Sequence, residues 1–279
     1  MATKSYESPL TPHARMRALF RALVEARALS AHLGRHEGGL APRTEAPWAA
    51  AALELSPGDL LSCPGGRTSV AEHIRSIGTR IGSGAPRASS FRSSLATRST
   101  PFSGGEPDRL LCAAGAAMAL KASGAGNVVV AFARKDALQA AAWMKLLRLV
   151  FEAELPLLLV VFASRKTQLA ADLDRLADRA TRPPVPVIPV DGADPIALYR
   201  VAAESIGRAR TGGGAAVLLA ETSRTDPIRL LQEQLLKRGI ATPRWLTGVA
   251  PATQAALGDA MTAIAGNGPK GSGRANASA

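Results

Sequence analysis

Three short stretches of unbroken apolar residues, 128–133, 157–162 and 215–220, constrain this chain more than any other feature. A strand with one wet face alternates apolar and polar side chains, because successive residues point to opposite sides of the sheet. Strands without that alternation need cover on both faces, as in a parallel sheet between helical layers. The intervening segments can supply the cover. Residues 136–154 place Trp143, Leu146, Leu147 and Val150 along one helical face. Residues 108–122 read as a small-residue helix with Leu110, Leu111, Ala114, Ala117 and Met118, closed by Gly124. Strand, helix and strand joined by short links make a right-handed βαβ unit with parallel strands.

The alternation continues on both sides. Residues 185–190 read as another short strand. Asp194-Pro195 and Asp226-Pro227 each set an N-cap aspartate before a proline at the first helical position. The first opens a helix to Arg210; the second opens the last clear helix, which Gly239 closes. Asp136-Ala137-Leu138-Gln139 reads as a capping box at the start of the 136–154 helix. Near the N-terminus, residues 12–34 form an amphipathic pattern, with Met16, Leu19, Phe20, Leu23 and Val24 on one face and Arg15, Arg17, Arg21 and Glu25 elsewhere. Residues 43–55 look like an alanine-rich helix ended by Ser56-Pro57-Gly58-Asp59. Residues 79–107, rich in Ser, Arg, Gly and Pro, read as a long surface loop. The expected fold class is α/β, three layers with a mainly parallel sheet and helices on both faces, in one domain over 12–265. An N-terminal tail (1–11) and a disordered tail (266–279) flank it.

Charge and composition narrow the function classes. The net charge of +12 suits an acidic partner surface or a phosphorylated ligand. Its basic residues are scattered, without a Lys/Arg run interleaved with aromatics, so nucleic acid is disfavoured and a polyanion-binding module is the weaker alternative. Hydrophobic residues make up 47% but aromatics only 4%, which calls for a core of close helix–sheet contacts rather than large rings. Cys63 and Cys112 lack metal-ligand spacing and read as two reduced, packed thiols. His13, His32, His36 and His73 are dispersed and read as surface histidines. Gly212-Gly213-Gly214 reads as a turn, since no Lys-Ser/Thr follows it. The polar start and the shortness of the apolar runs imply a cytoplasmic protein with no membrane partner.

Several segments recur in a telling order: Thr44-Glu45-Ala46; Leu55-Ser56-Pro57-Gly58-Asp59; the alanine helix 113–119 followed by the strand 128–132; Leu155-Pro156; Val190-Asp191-Gly192-Ala193-Asp194; Ala209-Arg210 with the three glycines; and Asp226-Pro227-Ile228. In that order they resemble, over residues 12–264, the alpha subunit of the decarboxylating component of 2-oxo acid dehydrogenase complexes, of the pyruvate and branched-chain type. The resemblance implies a thiamine-diphosphate-binding fold, magnesium, and oxidative decarboxylation of a 2-oxo acid. It also implies a beta subunit across the cofactor interface and a lipoyl acyltransferase core as a further partner.

The family's cofactor letters are not all here. Magnesium requires hard oxygen ligands. The family supplies them with Gly-Asp-Gly-Ala after one strand, an Asn in the next helix and an Asn pair after the next strand. This chain has Arg134-Lys135-Asp136-Ala137 at the first position, Arg148 at the second and Ala163-Ser164 at the third. A protonated lysine offers no lone pair and repels a cation. The family's Gly-His-Ser loop is also shortened, because Asp226-Pro227 follows Glu221-Thr222-Ser223-Arg224 almost at once. Arg67 lies near the family's Tyr-Arg pair, with Gly66 at the tyrosine position, and reads as a solvated loop residue, the alternative being a surviving phosphate contact. The positions that match the family's cofactor site are thus Arg67, Arg134, Lys135, Asp136, Ala137 and Ser164, with no catalytic residue or metal ligand among them. The expectation is a non-catalytic or regulatory alpha-like subunit that pairs with a beta subunit or an alpha paralogue. The alternative is an active enzyme in which Arg134 and Lys135, at a helix N-terminus, hold thiamine diphosphate by charge without magnesium.

Overall fold

The computed structural model describes residues 9, 11–34, 39–64, 67–79, 89, 91–92, 105–164 and 186–266. Most of both tails and of the 79–107 loop, together with His36 and Gly66, lie outside them. Five strands form one sheet: β1 (Leu60–Ser62), β2 (Val129–Arg134), β3 (Leu157–Ser164), β4 (Val187–Asp191) and β5 (Ala216–Thr222). All pair in parallel, in the order β1-β2-β3-β5-β4. The helices are α1 (His13–Leu33), α2 (Glu45–Ala52), α3 (Thr68–Gly78), α4 (Glu106–Ser123), α5 (Ala140–Glu152), α6 (Pro195–Arg210), α7 (Pro227–Lys237) and α8 (Pro243–Gly266).

The unbroken apolar strands find cover on both sides. Val130, Phe132, Val160, Leu218 and Ala220 face a core shared with α1, α2, α3, α6, α7 and α8. Val129, Ala131, Ala133, Leu159, Val161 and Val217 face Leu110, Ala113, Ala114 and Ala117 of α4 and Trp143, Leu146, Leu147 and Val150 of α5. The architecture is therefore a three-layer α/β arrangement, the class that the resemblance implies. Asp194 caps α6 by accepting from Ile196 N and Ala197 N, and Asp226 caps α7 by accepting from Ile228 N, each just before its proline. No helix among the described residues is long and apolar enough to cross a membrane.

The structure corrects several readings. Residues 135–137 are a 3-10 turn, Leu138 and Gln139 are extended, and α5 begins only at Ala140. Asp136 is therefore not an N-cap; its carboxylate is held by Arg134 at 3.0 Å. The 24-residue α8 has no counterpart in the sequence reading, which ended its helices at Gly239. Gly248, Pro251 and Gly258 interrupt its pattern, and contact with α1 supplies what local propensity does not. His73 is not a surface residue. It is fully buried, with Nε2 2.7 Å from Glu25 Oε2 and its ring stacked on buried Phe91, so residues 79–107 are not wholly a surface loop. Cys63 is buried, but Cys112 is exposed.

Candidate functional site

Helices leave the carboxyl ends of the strands toward opposite faces. The connection from β2 passes to α5 on one side, whereas those from β4 and β5 pass to α6 and α7 on the other. Open α/β sheets place ligands at such a reversal, outside the carboxyl ends of the strands. Register fixes what stands there. Arg134 is level with Phe162, Phe162 with Ala220, and Ala220 with Val190. Strand β3 runs two residues further, so the Ser164 backbone is level with Thr222.

Arg134 points into solvent, its side chain 65% exposed, and its backbone N–H donates to Glu106 Oε1 at 3.2 Å. Its guanidinium holds Asp136. Lys135 and Ala137 are half-buried in the 3-10 turn, and the Lys135 carbonyl accepts from Trp143 Nε1 at 2.9 Å. That bond fixes the turn against α5. Arg148 does not belong to this edge. It lies two turns along α5 on the solvent face, beside Glu152 at 3.7 Å. Arg67 is half-buried rather than solvated; it stands at the N-terminus of α3 and donates to the Pro64 carbonyl at 3.0 Å.

A residue that the sequence reading passed over sits beneath this edge. Arg109, in the first turns of α4, is 3% exposed. It donates to Ser62 Oγ and to the Phe132 carbonyl, both at 2.7 Å, and lies 3.5 Å from Glu106. Burial holds its guanidinium below the ordinary arginine value, against the pull of Glu106. Beside it, burial pushes the Cys63 thiol up to about 12, so this cysteine is a packed group and not a nucleophile. Arg109 ties α4 to β1 and β2. The signal that could have found it is a single arginine followed by eleven residues without charge.

On the other side of the crevice is a cleft of about 200 Å³ between the start of α2 and the ends of β3, β4 and β5. Its floor is apolar, with Pro47, Phe162 and Ala220; its rim carries Thr44, Ser223, Arg43 and Arg224. Trp48 stacks on Phe132 at 3.9 Å and on Phe162 at 5.7 Å, which makes that floor rigid. Arg43 has φ +65°, a conformation that costs a side-chain-bearing residue of order 1 kcal/mol. It donates from NH1 to the Arg224 carbonyl across the rim. Arg27 of α1 braces the cleft from behind. It meets Glu45 at 2.8 and 3.2 Å and Asp226 at 2.8 and 3.1 Å. The start of α2 and the cap of α7 are thus tied through one guanidinium. The hydrogen bond from Arg27 holds the Asp226 carboxyl below the usual range, against burial. None of the six site residues read from the sequence lines this cleft. Arg67, Arg134, Lys135, Asp136, Ala137 and Ser164 belong to the β1, β2 and β3 side of the crevice.

The chain is 33% identical, over 114 residues, to the alpha subunit of acetoin:2,6-dichlorophenolindophenol oxidoreductase from Cupriavidus necator. The match covers 39% of this chain and 34% of that relative, so the chain is matched to about a third of the relative's length. No family model matches the chain.

Motif positions from the resemblance fall into two groups in space. Asp59 is 3% exposed and accepts from Ser56 N and Val128 N at 2.6 and 2.9 Å. It also takes both ends of Arg210, with Arg210 NH1 to Asp59 Oδ1 at 3.0 Å. Gly58, at φ +93°, stands where a Cβ would come within 2.8 Å of Asn127 Nδ2. Pro57-Gly58-Asp59 and Arg210 therefore lock the amino edge of the sheet, away from the crevice. Glu45, Gly192 and Asp226 serve the carboxyl side as scaffold; a Cβ at Gly192 would stand 2.5 Å from the Glu221 carbonyl oxygen.

Proposed function

We propose that this chain is a non-catalytic alpha-like subunit that acts by pairing with a beta-type subunit. The observation that carries the reading is the end of β2: an exposed Arg134, a Lys135 and a carboxylate, Asp136, already taken by that arginine. These groups do not fit a magnesium ion. Two of the three are cations, and the third would have to give up its partner before it could offer an oxygen. Among the described residues, no three His, Cys, Asp or Glu side chains stand close enough to hold a metal. The partial likeness to a protein named as a subunit alpha supports the pairing. On this reading the chain's own groups perform no chemistry, and the scaffold on both edges of the sheet serves assembly.

The test has two parts. Saturating thiamine diphosphate with magnesium should leave the melting temperature of the purified chain unmoved, and a magnesium-dependent rise overturns the reading. Affinity capture from the native host should recover a beta-type subunit in stoichiometric amount; recovery without one overturns the pairing.

The cationic rim of the cleft favours a second reading, in which an active enzyme holds thiamine diphosphate by charge alone. Arg43 and Arg224 face the cleft and Arg134 stands exposed on the same edge, where guanidinium groups suit phosphate oxygens. The late start of α5 weakens it, because Arg134 stands before the 3-10 turn and Lys135 within it, and two further extended residues follow before the helix dipole begins. Stabilisation by thiamine diphosphate in excess chelator would establish this reading in place of the first.

A further inference from the structure

Only 4% of this chain is aromatic, yet three of its rings lie in one stack beneath the cleft at the carboxyl edge. The ring of Trp48 is inclined by 16° to Phe132 and by 26° to Phe162, and the two phenyl rings by 24° to each other. Trp48 and Phe132 are buried. Phe162 is half-buried and forms part of the cleft floor. A stack that ends on a half-buried ring in a cavity has room for one further ring, and aromatic pairs gain contact beyond the area they bury.

Above this floor the rim is cationic and underused. Arg43 and Arg224 both line it. Among the described residues, Arg43 makes one side-chain bond, to the Arg224 carbonyl, and the Arg224 guanidinium makes none. A guanidinium carries five N–H donors, so most of the pair's capacity is unspent. Ser223 Oγ accepts from Thr225 N, which leaves the hydroxyl hydrogen for an oxygen in the cleft. The neighbouring carboxylates, Glu45 and Asp226, are both held by Arg27 and do not neutralise the rim.

We propose that this cleft binds a small aromatic carboxylate, its ring against Phe162 and its acid group at Arg43 and Arg224. Size sets the limit. An apolar cavity of about 150 Å³ takes one benzene ring. At about 200 Å³ this cleft takes one ring with one small acidic group at its rim. A carboxylate conjugated to a ring lies in the ring's own plane, and its two oxygens match the planar fork of an arginine. The proposal goes beyond both functional readings above and rests on neither.

Benzoate is the probe, titrated by calorimetry into the purified full-length chain. One site is expected, with a dissociation constant between micromolar and low millimolar, the range open to so small a ligand. No heat of binding up to the solubility limit of benzoate overturns the proposal. Arg224→Gln alters an exposed side chain and should weaken benzoate about tenfold, with the melting temperature unmoved. Unchanged affinity in the double variant Arg43→Gln, Arg224→Gln places the ligand elsewhere, which also overturns it. Cyclohexanecarboxylate, of similar size but without a flat face, tests the ring. Benzoate should bind about threefold more tightly or better, and Phe162→Leu should erase that preference. Equal affinities in the parent chain overturn the aromatic assignment, and tighter binding of phenyl phosphate overturns the carboxylate. The readout is benzoate itself, so its failure is distinct from any result with thiamine diphosphate or a beta-type subunit.

Discussion

The two edges of the sheet are built from the same kind of residue and put to different use. At the amino edge, a buried carboxylate, Asp59, meets Arg210 and two backbone N–H groups, so that both of these charges have a partner. At the carboxyl edge, guanidinium groups stand at the rim of a cleft, Arg134 is mostly exposed, and Arg43 sits in a strained backbone conformation. One edge spends its charge on holding the fold together. The other leaves its charge available to a ligand or partner, and the strained Arg43 is held there by its bond to the Arg224 carbonyl.

The largest effect should come from opening the closed edge. Asp59→Ala leaves the Ser56 and Val128 N–H groups without their acceptor and Arg210 without its carboxylate, and unfolding in urea should show a loss of about 3 kcal/mol or more. A loss below about 1 kcal/mol would mean that the amino edge is not the clamp it looks like. Next is Arg27→Met, which strands the buried Glu45 and should cost about 2–4 kcal/mol. This change should also alter the acid limb. Because the Asp226 carboxyl is held below its ordinary value in the folded chain, its contribution is complete above that value and is lost as pH falls through the lower, folded one. In Arg27→Met the acid-induced fall in melting temperature should therefore be shallower.

At the open edge the sign should reverse. Arg43→Gly relieves the φ of +65° and should stabilise the chain by up to about 1 kcal/mol, while removing a cation from the cleft. If it destabilises instead, the contact with the Arg224 carbonyl outweighs the strain. The smallest effect belongs to the double change Arg134→Ala, Lys135→Ala, which should move stability by no more than about 0.5 kcal/mol, since the Arg134–Asp136 pair is solvent-exposed. Any affinity for diphosphate measured in the parent should fall in this variant without a fall in melting temperature.

Much of the fold was legible in short windows. The unbroken apolar stretches became β2, β3 and β5 to within two residues, and the Asp-Pro pairs became capped helix starts, because cover on both faces and capping are local demands. Asp136 misled because a capping box is a local pattern, whereas the chain here makes a 3-10 turn and two extended residues before the helix starts at Ala140. Of the site, only positions along the chain were legible: Arg134, Lys135 and Asp136 lie at the end of β2 and in the turn after it, whereas helix rotation turns Arg148 to solvent.

The sequence by itself determined β2 to β5 and the helices α1, α2 and α4 to α7, since period and capping are properties of neighbouring residues, whereas β1, α3 and α8 emerged only in the tertiary structure. Only the tertiary structure decided that Glu25 and His73 are buried together, that Asp59 meets a residue 151 positions away, and that Arg27 joins α2 to α7. A charged side chain reads as a surface residue until a partner removes the cost of desolvating it, and that partner lies far along the chain.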